Sequence, residues 1–270
     1  VTAAARRWRL DLAYDGGGFH GFAAQPDAET VAGTLADTLA RVLRLDATPV
    51  LGCAGRTDAG VHALGQVVHV DLPDPLFADD RGDEGQRLRR SINRQLAPRI
   101  VVTAAATVDA SFDARHAATW RRYRYLVYEA DVPSPLLAGR AWQVLGPLDE
   151  RAMTGAAYAL LGTHDFRAFC RRPAGTEAGA PITRRVIDIS LEAVPDTLAL
   201  AGDGRVLRIG ITAESFCHQM VRSIASALVA VGRHELHAAE ILEHLRSGER
   251  SGMPAPAPPE GLCLLAVGYD

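Results

Sequence analysis

The 270-residue chain has no lysine; all 29 of its Lys+Arg total are arginine. It therefore offers no lysine for a Schiff base, no P-loop lysine and no lysine general base. Pyridoxal enzymes and Walker-type NTPases are excluded. Cysteine is scarce: Cys53, Cys170, Cys217 and Cys263 lie far apart and form no CxxC. This argues against a zinc site or a disulfide framework, and the four read as buried or idle thiols. No apolar run approaches the roughly 18–20 residues that span a bilayer. The first residues, VTAAARRWRL, are basic without an apolar core and lead into a strand pattern. The expectation is no signal peptide and a cytoplasmic protein.

What is present is a globular composition, 48% hydrophobic, long enough for a large core in one or two domains. The net charge of −3 does not announce a nucleic-acid binder. The arginines, however, are clustered. RLRRSINR (Arg87 to Arg94), RRYR (Arg121 to Arg124), Arg171-Arg172 and Arg184-Arg185 stand apart from acidic stretches such as ADDRGDEG. Each cluster alone reads as a solvated face. Four of them, one interleaved with tyrosine, point to an anionic partner and a basic cleft.

The pattern predicts β-α-β-β-α-β, repeated once. WRLDLAY alternates as a half-buried strand. Thr30 is placed to cap a helix whose stripe is Val31, Leu35, Leu39, Val42 and Leu43. A strand through Val50 and Leu51, the loop GRTDAGVHA, the strand GQVVHVDL, the helix QRLRRSINRQL and the strand IVVTAAATV complete a first half, residues 1–110. The second half, 111–270, opens with the strand TWRRYRYLVYEA. Arg121, Tyr123 and Tyr125 share one of its faces. VPSPLLAGRAWQVLGP reads as a Pro/Gly loop, DERAMTGAAYALLG as a helix and RRPAGTEAGAP as a mobile loop. Two strands, the helix CHQMVRSIASALVAVGR with stripe Met220, Ile224, Leu228 and Val231, a short helix and a last strand follow. The fold class expected is α+β: two related halves, mainly antiparallel, helices on one side, a cleft between them.

Three residues carry candidate chemistry. Asp58 sits in GRTDAGVHA, where Gly55 and Gly60 permit tight backbone and close approach of a ligand. It reads as a nucleophile, a general base, a metal ligand or half of a surface pair with Arg56. Arg222 lies beside the apolar stripe of its helix, where a cation needs a partner. Tyr123 beside Arg121 reads as a sheet tyrosine or as a base-stacking platform with a phosphate contact. His62, His69 and His218 lack metal-ligand spacing, and no metal is expected.

GRTDAGVHA, AYDGGGFHGF, ARHAATWRRYRY, FCHQMVRSIAS and APAPPEGLCLLAVGY resemble, in order and over nearly the whole chain, the segments of the tRNA pseudouridine synthase A family. The resemblance implies two RNA-recognition-like halves flanking a basic cleft, as a homodimer, with no cofactor. Asp58 matches the family's catalytic aspartate. Arg222 matches the basic residue paired with it, and Tyr123 the tyrosine stacked on the target base. Arg56 matches an arginine that contacts RNA in base extrusion, and Arg121 is read as a further substrate contact. The implied substrate is uridine at positions 38 to 40 of the tRNA anticodon stem-loop. The chain departs from the family at Phe22-Ala23-Ala24, where Trp-Gln-x is common, and at Gln219, where histidine is frequent.

Three functions follow for test. An isomerase breaks N1–C1′, turns the base and joins C5 to C1′, with no atoms gained or lost. Extruding the base costs a few kcal/mol, and stacking on an aromatic ring returns roughly 1–3. An arginine beside the carboxylate favours its ionised form away from water. A non-catalytic RNA-binding protein of the same fold would need the arginines and Tyr123 but not Asp58. A carboxylate hydrolase of the glycosidic bond would release uracil.

Overall fold

Alternation of side chains builds the first strand. In β1 (Ala5–Tyr14), Trp8, Leu10, Leu12 and Tyr14 are buried and the residues between them are not. The structure, a computed structural model, describes residues 5–79, 82–172, 179–195 and 201–269. The Thr30 side chain accepts the Gly33 N–H and so caps α1 (Val31–Leu43). Val31, Leu35 and Leu39 of its stripe are buried. The strand expected through Val50 and Leu51 begins later: β2 is Gly52–Cys53, and Val50 is 89% exposed. Apolar residues beside a turn carry a strand signal, but pairing decides, and here Gly52 and Cys53 face His69 and Val68.

Those partners lie on β3 (His62–Pro73), which pairs antiparallel with β1. Asp83 caps α2 (Glu84–Leu96) through the Gln86 N–H, and Leu88 and Ile92 are buried beneath it. β4 (Ile100–Thr107) covers the other edge of β1, again antiparallel. Three of the first half's four expected strands and both helices are therefore present where expected, and β2 lies one residue beyond Leu51.

In the second half, β5 (Trp120–Glu129) buries Arg121, Tyr123, Tyr125 and Val127 on one face, the alternation expected. A three-residue strand, β6 (Trp142–Val144), pairs parallel with β5 inside the segment read as a loop. Asp149 caps α3 (Glu150–Tyr158). β7 (Gly162–Asp165), β8 (Thr183–Val194) and β9 (Arg205–Ala213) give the antiparallel order β5-β9-β8-β7. The mobility expected of RRPAGTEAGAP concerns residues 173–178, which lie outside the described residues. Then come α4 (Met220–Gly232), α5 (Ala238–Ser247) and β10 (Leu262–Gly268).

The chain divides into two units, one holding residues up to Thr119 and from Leu264 on, the other Trp120–Cys263. Residues 111–119 and 264–270, which the sequence reading places in the second half, fall in the first unit. The last strand returns to lie beside β3. The class is α+β with mostly antiparallel strands. Among the described residues no helix is long and apolar enough to cross a membrane.

Two expectations need correction. α4 carries no simple stripe: every residue of it is buried except Arg222, which is half-buried. A helix apolar all round belongs inside a unit, and α4 packs against α3 and β5. Nor are all four cysteines idle thiols. Cys170 and Cys217 form a disulfide, with Cα atoms 5.8 Å apart. Their separation of 47 positions hid this from the sequence. The backbone bond from Arg171 N–H to the His218 carbonyl, 2.9 Å, draws the two segments together. Cys53 and Cys263 are not disulfide-bonded.

Candidate active site

The loop between β2 and β3 holds Asp58 at the head of a turn. The Val61 N–H donates to the Asp58 carbonyl at 3.1 Å, and Gly60, third in the turn, has φ +79. That position of a type II turn requires the left-handed region, which explains the glycine. On the preceding side the Phe22 N–H donates to the Thr57 carbonyl at 3.0 Å. Gly21 lies so close that a Cβ there would meet the Thr57 carbonyl oxygen at 3.0 Å. Gly16 is tighter still: its Cβ would fall 2.1 Å from the Val61 carbonyl oxygen. The AYDGGGFHGF segment thus owes Gly16 to packing against the Asp58 loop, and Gly21 to its φ of +92 as well as to that packing.

Within this loop the side chains differ in exposure. Arg56 is exposed, Thr57 is buried and Asp58 is half-buried. The histidines of the region are structural. His62 Nδ1 accepts the Gly16 N–H at 3.0 Å, and His69 Nδ1 accepts the Ala114 N–H at 3.0 Å. Cys53, the free thiol nearest in sequence, is no nucleophile at neutral pH. Burial pushes its pKa up to about 11.

The second unit gathers the other candidates. Tyr123, 8% exposed, meets Phe216 edge to face, with ring centroids 5.1 Å apart and planes at 85°. Arg121, also buried, donates from Nη1 to the Glu214 carbonyl at 2.8 Å. Both contacts tie β5 to the 214–219 segment, which leads through Gln219, at φ 66, into α4. Arg222 stands on the first turn of α4. Its Nε donates to the Ala257 carbonyl at 2.6 Å, and the Ala257 N–H returns a bond to the Arg222 carbonyl at 3.1 Å. Tyr125 donates to the neighbouring Pro258 carbonyl at 2.7 Å, and burial pushes its phenol pKa up, so it remains a donor.

The structure therefore places Tyr123 and Arg121 on one strand and Arg222 on one helix of the second unit. Asp58 and Arg56 belong to the first. Phe216, Ala257 and Pro258 were missed by sequence reasoning. The motif FCHQMVRS contained Phe216, but nothing in its spacing says which ring it touches. Two backbone carbonyls leave no side-chain signal at all.

The first unit thus holds a half-buried carboxylate on an anchored loop, and the second a buried tyrosine and an arginine fastened to a backbone carbonyl. A family model described as tRNA pseudouridine synthase matches residues 156–270. A protein from Cutibacterium acnes named tRNA pseudouridine synthase A is 40% identical over 97% of this chain and 88% of its own length. Those of the same name from Frankia casuarinae and Gluconobacter oxydans are 41% and 37% identical. They cover 100% and 97% of this chain, and 91% and 90% of their own lengths. The chain belongs to the tRNA pseudouridine synthase A family, a family of isomerases.

Proposed function

We propose that this chain converts uridine to pseudouridine at positions 38 to 40 of the tRNA anticodon stem-loop, with Asp58 as the reacting carboxylate. The observation that carries this reading is the Asp58 loop. A half-buried carboxylate heads a glycine turn that is tied down on both sides, in a chain of this family. A surface carboxylate with no task would need no such anchoring.

Tyr123 provides the face on which the extruded base stacks, and Phe216 holds that ring on edge. Arg222 is the partner of Asp58, with its Nε fixed on Ala257. Arg56, exposed, contacts the RNA backbone, and Arg121 shares that role from a more buried position. Asp58 acts on the sugar, either by attack at C1′ or by removal of a ribose proton. The proton lost from C5 is matched by the one that N1 gains, so the stoichiometry calls for no cofactor. The enzyme works in the cytoplasm as a homodimer.

Treating unmodified tRNA with the protein and mapping pseudouridine by position, with the RNA mass measured alongside, tests the reading. The expected result is pseudouridine at positions 38 to 40 with the mass unchanged. Release of free uracil would instead establish a hydrolase. Bound but unaltered tRNA would establish a non-catalytic RNA-binding protein.

A further inference from the structure

In and beneath the Asp58 loop are three buried polar side chains that the proposed chemistry does not use. Tyr14, at the end of β1, is 4% exposed; Gln66, on β3, is fully buried; Thr57, in the loop, is 6% exposed. The hydroxyls of Tyr14 and Thr57 share a hydrogen bond of 2.8 Å. Gln66 Nε2 donates to the Tyr14 hydroxyl at 3.3 Å and to the Gly55 carbonyl at 2.7 Å. Gln66 Oε1 accepts the Val67 N–H at 3.2 Å. The amide thus reaches the residue that opens the loop, and the phenol reaches the residue just before Asp58.

These groups are out of place by the logic of the sheet. Tyr14 is in phase with Trp8, Leu10 and Leu12, and Gln66 with Val68, Val70 and Leu72, all of them buried. Leu12 and Gln66 are direct partners in the β1–β3 register. Apolar side chains at 14 and 66 would continue both rows and avoid burying polar atoms, which is costly unless every one is bonded. Here the bonds run to the loop itself. Together with Phe22 N–H on the Thr57 carbonyl and Val61 N–H on the Asp58 carbonyl, they fix the backbone on each side of Asp58.

We infer that Tyr14 and Gln66 are positioning residues for the isomerisation. They hold Asp58 at its working place through the Thr57 hydroxyl and the Gly55 carbonyl. The inference rests on the reading of Asp58 as the reacting carboxylate. The network touches no substrate; its effect is on where the Asp58 backbone sits. Misplacing a reacting group by about 1 Å costs on the order of a hundredfold in rate.

The test compares Tyr14→Phe, Thr57→Val, Thr57→Ser and the Tyr14→Phe/Thr57→Val double variant, with Asp58→Asn as reference, in steady-state turnover of tRNA. Tyr14→Phe and Thr57→Val each remove one oxygen and keep the shape, and thermal unfolding checks that each variant folds. The expected result is a kcat loss of about ten- to a hundredfold in both single variants with KM within about twofold. The double variant loses no more than the worse single one, because both remove the same bond. Thr57→Ser, which keeps the hydroxyl, recovers most of the rate. Wild-type kcat in Tyr14→Phe and Thr57→Val, with Asp58→Asn inactive, overturns the inference while leaving Asp58 in its role. Full turnover by Asp58→Asn removes the reading on which the inference stands.

Discussion

Arg222 shows how a single position can be read from the environment it departs from. Twelve of the thirteen residues of α4 are buried, and the one that is not is a cation fastened by Nε to a backbone carbonyl. A guanidinium so held keeps its fork in a fixed plane, the arrangement that suits a carboxylate. On the proposed reading, Arg222→Ala removes the partner of Asp58. We expect kcat to fall about a hundredfold and tRNA affinity to change little, since charge stabilisation at the reacting centre is lost and not RNA contact. Parallel turnover and tRNA-binding titrations check this; near-wild-type turnover refutes the pairing. Asp58, Tyr123 and Arg222, the residues of the proposed site, stand out in the sequence because each sits in a distinctive motif. Tyr14 and Gln66 were not. Tyr14 reads as one more alternating strand residue. The one signal for Gln66 was its phase, a polar residue in the row Val68, Val70, Leu72.

At the scale of elements, the sequence foretold the long helices and strands and missed the short ones. α1 and α2 announce themselves by a cap and a buried stripe, Thr30 with Val31, Leu35 and Leu39, and Asp83 with Leu88 and Ile92. β6 has three residues in a Pro/Gly-rich segment, and only its pairing with β5 makes it a strand. β2 is two residues long and exists because His69 and Val68 stand opposite. The Cys170–Cys217 disulfide is the same kind of fact, a contact between two elements that neither encodes alone. It joins the segment after β7 to the loop that carries Phe216 into α4. Closing so long a loop stabilises by about 2–4 kcal/mol. Denaturant unfolding of the oxidised protein and of the Cys170→Ser/Cys217→Ser variant should differ by that amount, the oxidised form being the more stable. Equal midpoints would show that the bond contributes nothing.

At the scale of the whole molecule, the α+β class and, β6 and β7 apart, the strand-helix order were legible from periodicity, cap and turn residues. The return of the last strand to the first unit was not. LCLLAVGY reads as a strand, but its neighbour is chosen by packing: Val267 and Tyr269 join Phe112 against the buried Ala54, Val67 and Ala114. That return carries the chain past Ala257 and Pro258, the carbonyls that fasten Arg222 and Tyr125. A closing segment that looks like a Pro-rich loop thus anchors Arg222. The distribution of charge belongs to this scale too. A net charge of −3 masks arginine clusters that an overall count cannot reveal.

The central claim is that the Asp58 carboxylate carries out the isomerisation of uridine in tRNA. Asp58→Asn keeps the size and the loop and removes the charge, so pseudouridine formation on unmodified tRNA should fall by at least about a thousandfold while the Kd for tRNA stays within about twofold. Pseudouridine formed by the asparagine variant at the wild-type rate would contradict it.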